Sequence, residues 1–201
     1  MTNNIISNDC VGGYIYKDWL KTDNQNPFIW SSIDIENFIK IVKCYDDIDF
    51  RNIKCELVLN NSGICKQGSL IPKIIIDDDI EVNYFHYICD KAFKAQTSRS
   101  GYTLYENIIS YTIEAYNRRL TRMVERPTFI WDVTRIKWYN KTGKEPLDTF
   151  EKIETDSPII IYQPNIINSK KGNITLLNKT NGSFEVNVSA KNIYNNILKN
   201  I

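Results

Sequence analysis

The hydrophobic positions of this chain alternate between short continuous runs and helical spacing. Asn4-Ile5-Ile6-Ser7 is a compact apolar run that predicts a buried strand, closed by polar Asn8-Asp9. After Cys10-Val11-Gly12-Gly13, apolar residues at 15, 16, 19 and 20 predict a helix starting near Cys10. Pro27-Phe28-Ile29-Trp30 reads as a loop. Residues 34–44 then carry apolar side chains at 35, 38, 39, 41 and 42, the pattern of an amphipathic helix capped by Ser or Asp. Strands are predicted over 54–59, 71–76 and 80–88, separated by Asn60-Asn61-Ser62-Gly63 and Asp77-Asp78-Asp79. A long helix is predicted over 104–126, stopping before Pro127. Strands at 128–133 and 158–162 flank a short helix at 147–153. The Asn-rich tail predicts a hairpin of 174–177 with 184–188 around Asn181-Gly182, then a helix from Ala190.

Strands alternating with helices predict an α/β layered fold, a central mixed sheet flanked by helices. The domain expectation is one main unit over 1–165, with 166–201 a hairpin-plus-helix extension packed on it. The length, 201 residues, supports one domain with a small appendage at about 150 residues per domain. Hydrophobic residues at 42% and charged residues at 24% exclude disorder and rod-like folds.

Lys and Arg number 25 against 24 Asp and Glu, a net charge of +1, so bulk charge does not support a nucleic-acid partner. No apolar run approaches the roughly 20 residues of a membrane span, and the first residues carry no basic leader. A cytoplasmic protein (the host cytoplasm for a viral source) is the expectation. The five cysteines, at 10, 44, 55, 65 and 89, form no C-x-x-C pair and are expected as free thiols.

Three constellations could carry chemistry. Cys10 follows a predicted strand and opens a predicted helix, where oriented N–H groups favour a thiolate and could stabilise an oxyanion. Gly12 and Gly13 would let a ligand approach the backbone, and His86 is the single histidine, near the end of a predicted strand. A small buried cysteine and a hydrogen-bonded rim histidine would explain the same residues. Asp77-Asp78-Asp79 could hold a divalent metal on a sugar-nucleotide diphosphate, with Asp77 and Asp79 as ligands, or could simply be a turn. Arg118, Arg122 and Arg126 share one predicted helical face with Arg119 beside them, fit for phosphates or for plain solvation. One histidine rules out a multi-histidine metal site.

Ile6-Ser7-Asn8-Asp9-Cys10-Val11-Gly12-Gly13-Tyr14-Ile15-Tyr16 resembles the opening I-S-N-x-C-x-G-G-x-I-Y motif of a bacterial exopolysaccharide-biosynthesis family carried as a domain of unknown function. Asp79-Ile80-Glu81-Val82-Asn83-Tyr84-Phe85-His86-Tyr87 is similar to its D-I-E-I-x-F-x-H-Y segment. Ala115-Tyr116-Asn117-Arg118-Arg119-Leu120-Thr121-Arg122 resembles its W-x-x-R-x-x-R helix, and 158–162 its last core strand. Pro27-Phe28-Ile29-Trp30 is similar to the P-F-D-W of related papain-like cysteine enzymes, with Ile29 in place of the acid. Val11 stands where that family often has an aromatic residue.

The resemblance implies a papain-like Cys/His site and an acyltransferase that moves an acetyl group from acetyl-coenzyme A to a sugar, an amino sugar or nucleotide-linked sugar, in polysaccharide biosynthesis. Cys10 would be the nucleophile and His86 the base. Asp132, ending a core strand, is the candidate that orients His86. Gly12, Gly13, Arg118, Arg119 and Arg122 would hold coenzyme A, and Asn8, Trp30 and Tyr84 the substrate, with no metal. A cysteine peptidase or hydrolase, a metal-dependent glycosyltransferase working through Asp77 and Asp79, and a non-catalytic glycan-binding module are the rival readings.

Overall fold

The computed structural model describes residues 4–21, 25–60, 70–84, 103–132, 149–163, 167–178 and 186–196. Two sheets organise them. Strands β1 (Ile5–Ser7), β5 (Thr128–Asp132), β6 (Ile159–Gln163), β8 (Ile174–Asn178) and β7 (Ser169–Lys171) form a five-stranded sheet in that spatial order. The first four run parallel and β7 closes the edge antiparallel. Strands β2 (Ile53–Leu59), β3 (Leu70–Ile76) and β4 (Ile80–Asn83) form a separate antiparallel sheet. The mixed α/β class is therefore the one the pattern predicts.

The apolar runs follow from burial on both faces, as parallel strands require. One face of the large sheet carries Ile6, Phe129, Trp131, Ile159, Ile161 and Ile174. It packs on Phe38, Ile41 and Val42 of helix α2 (Ile35–Cys44) and on Ile74, Ile76 and Val82 of the small sheet. Helix α3 (Thr103–Leu120) adds Ala115 and Tyr116 to the same core. The other face carries Ile5, Ile130, Ile160, Tyr162 and Leu177. It is covered by α1 (Val11–Tyr14), the π-helical turn that continues it (Ile15–Leu20), and α4 (Val186–Asn196).

The outer edge of β1 is not left bare. The Asn26 amide donates to the Ile5 carbonyl at 2.7 Å, and the Ile33 N–H donates to the Asn8 carbonyl at 3.0 Å. The 26–33 loop thus runs along β1 and satisfies groups an edge strand would otherwise expose.

Local chemistry sets several boundaries differently from the pattern. Helix α3 ends at Leu120, short of residue 126. There the Thr121 hydroxyl donates to the Arg118 carbonyl at 2.9 Å, a local bond that competes with the helical ladder. The hairpin of the tail is β7–β8, turning at Gly172 with φ of 59°, not at Asn181-Gly182, which lies outside the described residues. Glycine takes the left-handed turn without strain, and the register Ile159↔Ile174 seats β8 beside β6. Residues 186–188, expected to be strand, open α4, which therefore starts before Ala190. Of the expected helix at 147–153, residues 149 and 150 are helical and 151–152 form a turn, while 147–148 lie outside the described residues. The described part of the 80–88 strand ends at Asn83.

Candidate functional site

β1 delivers the chain to the carboxyl end of the parallel sheet, where α/β folds place reactive groups. Asn8 continues β1 with its side chain. Its backbone N–H donates to the Ile130 carbonyl at 3.2 Å, its Nδ2 donates to the Asp132 carbonyl at 3.0 Å, and its Oδ1 accepts the Asp132 N–H at 2.8 Å. A side-chain amide here stands in for one more residue of backbone pairing. It fixes the end of β5 against the start of the Cys10 loop, and both Asn8 and Asp132 are 1% exposed.

The loop folds back on itself. The Ser7 hydroxyl donates to the Asp9 carbonyl at 2.7 Å and accepts the Gly12 N–H at 3.1 Å. The Asp9 carboxylate accepts the Val11 N–H at 2.8 Å. The first N–H groups of α1 are thus engaged by Asp9 and Ser7, so the expectation that they form an oxyanion hole needs correction. A four-residue helix whose leading donors bind its own loop does not present them to a substrate.

Cys10 occupies the N-cap position of α1 and is buried, in one apolar cluster with Ile130 and Tyr162. It forms no disulfide, and neither do Cys44 and Cys55. Gly12 and Gly13 are occupied from above by protein. A Cβ on Gly12 would meet Ser7 Oγ at 2.6 Å, and one on Gly13 would meet the Trp30 indole at 2.5 Å. Their freedom serves the packing of α1 on Ser7 and Trp30. Trp30 itself sits at φ of 66°, a costly conformation for a large side chain, with its ring edge-on to Tyr14 at 5.2 Å. Trp30 and Tyr14 are both half-buried and flank the Cys10 helix.

The other expected site residues fall elsewhere. Tyr84 is fully buried and its hydroxyl donates to the Pro27 carbonyl at 2.8 Å, a core position. Burial pushes its phenol well above the ordinary value. The shared face of Arg118, Arg122 and Arg126 is corrected by the early end of α3, since 122 and 126 lie beyond the helix. Arg118 is exposed, and Arg119 is half-buried near the Tyr84 phenol. Arg122 donates to the Gln25 carbonyl at 3.4 Å, next to Asn26 at the start of β1. Arg122 thus belongs to the amino-terminal end of β1, and Cys10 and Asp132 to the carboxyl end of the sheet.

Asp77, Asp78 and Asp79 turn β3 into β4, with φ of 52° and 59° at the first two. Their carboxylates go to three different partners: Asn52 for Asp77, Lys54 for Asp78 and Lys40 for Asp79. Among the described residues no group of three or more His, Cys, Asp or Glu side chains gathers to hold a metal. Likewise, no helix among them is long and apolar enough to cross a membrane.

Residues 1–112 match the family described as a domain of unknown function (DUF1919). The chain belongs to this family. No curated protein matches it. The DUF1919 segment carries Asn8, Asp9, Cys10, Gly12, Gly13, Trp30 and Tyr84, together with His86, which lies outside the described residues. Asp132 comes from the part of the chain beyond that match.

Two buried groups at this end of the sheet escaped the sequence reading. Asp9 was visible as the one acid inside the Cys10 motif. Tyr162 was visible as the first polar tip after Ile159-Ile160-Ile161, at a strand's carboxyl end. Its hydroxyl accepts the Asn192 amide at 3.0 Å. Burial raises the Tyr162 phenol and the Asp132 carboxylate adds to the rise, with Asn192 and Ser189 opposing.

Proposed function

We propose that this protein is an acyltransferase that carries an acetyl group from acetyl-coenzyme A through Cys10 to a sugar, an amino sugar or a nucleotide-linked sugar, in exopolysaccharide assembly. The observation that supports the reading is the double hydrogen bond from Asn8 to the Asp132 backbone. It brings the cysteine loop and a buried carboxylate to one end and one face of the sheet.

In this reading the Cys10 thiolate attacks the thioester carbonyl. Coenzyme A leaves as its thiol, with a proton from the His86 imidazolium, and an acetyl thioester remains on Cys10. The acceptor hydroxyl or amine then attacks. His86 takes the acceptor proton, and the Cys10 thiolate is released. Asp132 holds the imidazole, as the third member of such sites does. Asn83, three residues before His86, exchanges backbone hydrogen bonds with Ser32, and the next residue, Ile33, binds Asn8. Asn83, the last residue of β4, therefore lies beside the strand that leads into the Cys10 loop. Trp30 and Tyr14, both half-buried beside the Cys10 loop, are the aromatic side chains that would meet the sugar.

The test is incubation with acetyl-coenzyme A and no acceptor, followed by peptide mass spectrometry. A hydroxylamine-labile acetyl group should sit on the Cys10 peptide and be lost in Cys10→Ala. Acetylation confined to exposed Cys44, or none at all, would sink the proposal.

A further inference from the structure

The small sheet runs β2-β3-β4, and no strand among the described residues pairs with the outer side of β2. The ladder shows which main-chain groups that edge presents. The Asp77 N–H donates to the Asn52 carbonyl at 2.8 Å, in line with the register Ile53↔Ile76. Bonded and non-bonded pairs alternate in an antiparallel ladder, so Asn52, Lys54, Glu56 and Val58 bond to β3. Ile53, Cys55 and Leu57 then direct their N–H and carbonyl groups outward. The Tyr84 N–H, donating to the Pro72 carbonyl at 2.9 Å, fits the same alternation: Pro72 bonds to the β4 side, and its register partner is Leu57. The side chains of Lys54 and Glu56 are exposed, and those of Ile53, Cys55 and Leu57 are half-buried on the other face.

We propose that β2 is a homodimer contact, pairing antiparallel with β2 of a second copy about a two-fold axis at Cys55. An edge of outward N–H and carbonyl groups is a template for strand addition, and a two-fold axis lets one surface bind itself. Outward residues must face outward residues, so the axis falls on a residue of β2 and not between two. Centred on Lys54 or Glu56, the pairing would set like charges face to face, which is destabilising. Centred on Ile53 or Leu57, it gives neither charge an opposite one. Centred on Cys55, it sets Lys54 against Glu56 of the second copy, twice, and Ile53 against Leu57. The neighbouring charges extend this match. Lys73 bridges Glu56 at 2.6 Å and Glu81 at 3.1 Å, and Lys54 pairs with Asp78. Across the dimer the exposed face then alternates in sign without a break: Glu81, Lys73 and Glu56, followed by Lys54 and Asp78 of the second copy. Such exposed pairs select the register, while the main-chain bonds supply most of the affinity.

The test is sedimentation equilibrium of the full chain, whose mass should rise from one chain toward two with concentration. Glu56→Lys and Lys54→Glu should each raise the dissociation constant about tenfold or more, since both facing pairs become like-charged. An equimolar mixture of the two variants should regain the wild-type constant, because every Lys again meets a Glu. Chains that had merely lost their fold would not recover on mixing. The register is read by cross-linking in a Cys44→Ser background, with oxidised glutathione as oxidant. Lys54→Cys mixed with Glu56→Cys should give a mixed disulfide dimer, whereas Lys54→Cys alone lies on the wider diagonal, about 7–8 Å apart, and should react far more slowly. A wild-type chain that stays monomeric into the millimolar range overturns the proposal. So does a dimer that neither charge reversal weakens, or one in which Lys54→Cys links fastest to itself.

Discussion

The Asn8 side chain binds the Asp132 backbone from both sides, accepting its N–H at 2.8 Å and donating to its carbonyl at 3.0 Å. Sequence separation is 124 residues, so this contact joins the two ends of a very long crossover. Asn8→Ala removes both bonds and leaves two buried backbone groups without them. At about 1 kcal/mol per bond, and more for a group left unpaired, the loss should be about 2–4 kcal/mol in urea unfolding. Asn8→Asp keeps the acceptor, loses the donor and places a charge in a buried site, so it should be no milder. A loss under about 0.5 kcal/mol for Asn8→Ala would mean the pair contributes nothing to holding β1 and β5 together.

Gly13 and Trp30 form the second coupled pair. The indole lies where the Gly13 Cβ would be, within 2.5 Å. Gly13→Ala must therefore displace α1 or turn Trp30, and overpacking of this kind costs about 1–3 kcal/mol. In the Trp30→Ala background the added methyl has room, so Gly13→Ala should there be neutral or slightly stabilising, by helix propensity. Thermal melting of the two single variants and the double variant checks this. Equal costs in both backgrounds would show that contact with the Trp30 indole is not the source of the cost.

The sheet strands and α2 were legible because burial writes itself into apolar periodicity. Ile5-Ile6, Thr128 to Asp132 and Ile159 to Tyr162 could hardly be anything but interior strands. Asp34 caps α2 as its position predicts, accepting the Asn37 N–H at 2.8 Å. The arginine face was not legible, because a Thr hydroxyl rather than Pro127 stops α3. The tail hairpin was misplaced because Gly172-Asn173 and Asn181-Gly182 are equally good turn dipeptides. Only register against β6 chooses between them. At the site, the residue types were legible and their commitments were not. Gly12, Gly13 and Tyr84 read as open to a ligand, while in the fold Ser7, Trp30 and Pro27 already occupy them.

The Asp77–Asp79 segment should behave as a turn. Positive φ at Asp77 and Asp78, with the Asp79 N–H donating to the Ile76 carbonyl at 3.2 Å, is the geometry that Asn-Gly fits best. Replacing Asp77 and Asp78 together, Asp77→Asn with Asp78→Gly, relieves about 1–2 kcal/mol of left-handed strain against about 0.5–1 kcal/mol of added chain entropy, so chemical denaturation should show a gain of about 0.5–1 kcal/mol. The lost ion pair of Asp78 with Lys54 subtracts little, since both are exposed. A chelator should leave the melting temperature unchanged. A chelator-sensitive melt that the double replacement abolishes would instead identify a metal site at this turn.

Alkali should weaken the fold by forcing a buried thiol and buried phenols to ionise. Burial, with Glu56 beside it, pushes the Cys55 thiol from 9.0 up to about 12. Burial likewise raises the phenols of Tyr45, Tyr84 and Tyr116 above 10.0. In each case the folded state keeps a proton that the unfolded chain gives up more easily. Their contribution is fully present below the unfolded value and is lost as pH rises toward the folded one, so stability falls with pH across the window from 9.0 to about 12 for Cys55. Urea midpoints at about pH 8 and about pH 11 should differ, the higher pH being less stable, and Cys55→Ala should remove part of the slope. The same shift makes Cys55 a poor nucleophile at neutral pH, so iodoacetamide should label exposed Cys44 far ahead of it. Equal labelling of Cys44 and Cys55, or a urea midpoint that holds up to about pH 11, would contradict the burial of the thiol between the small sheet and the main core.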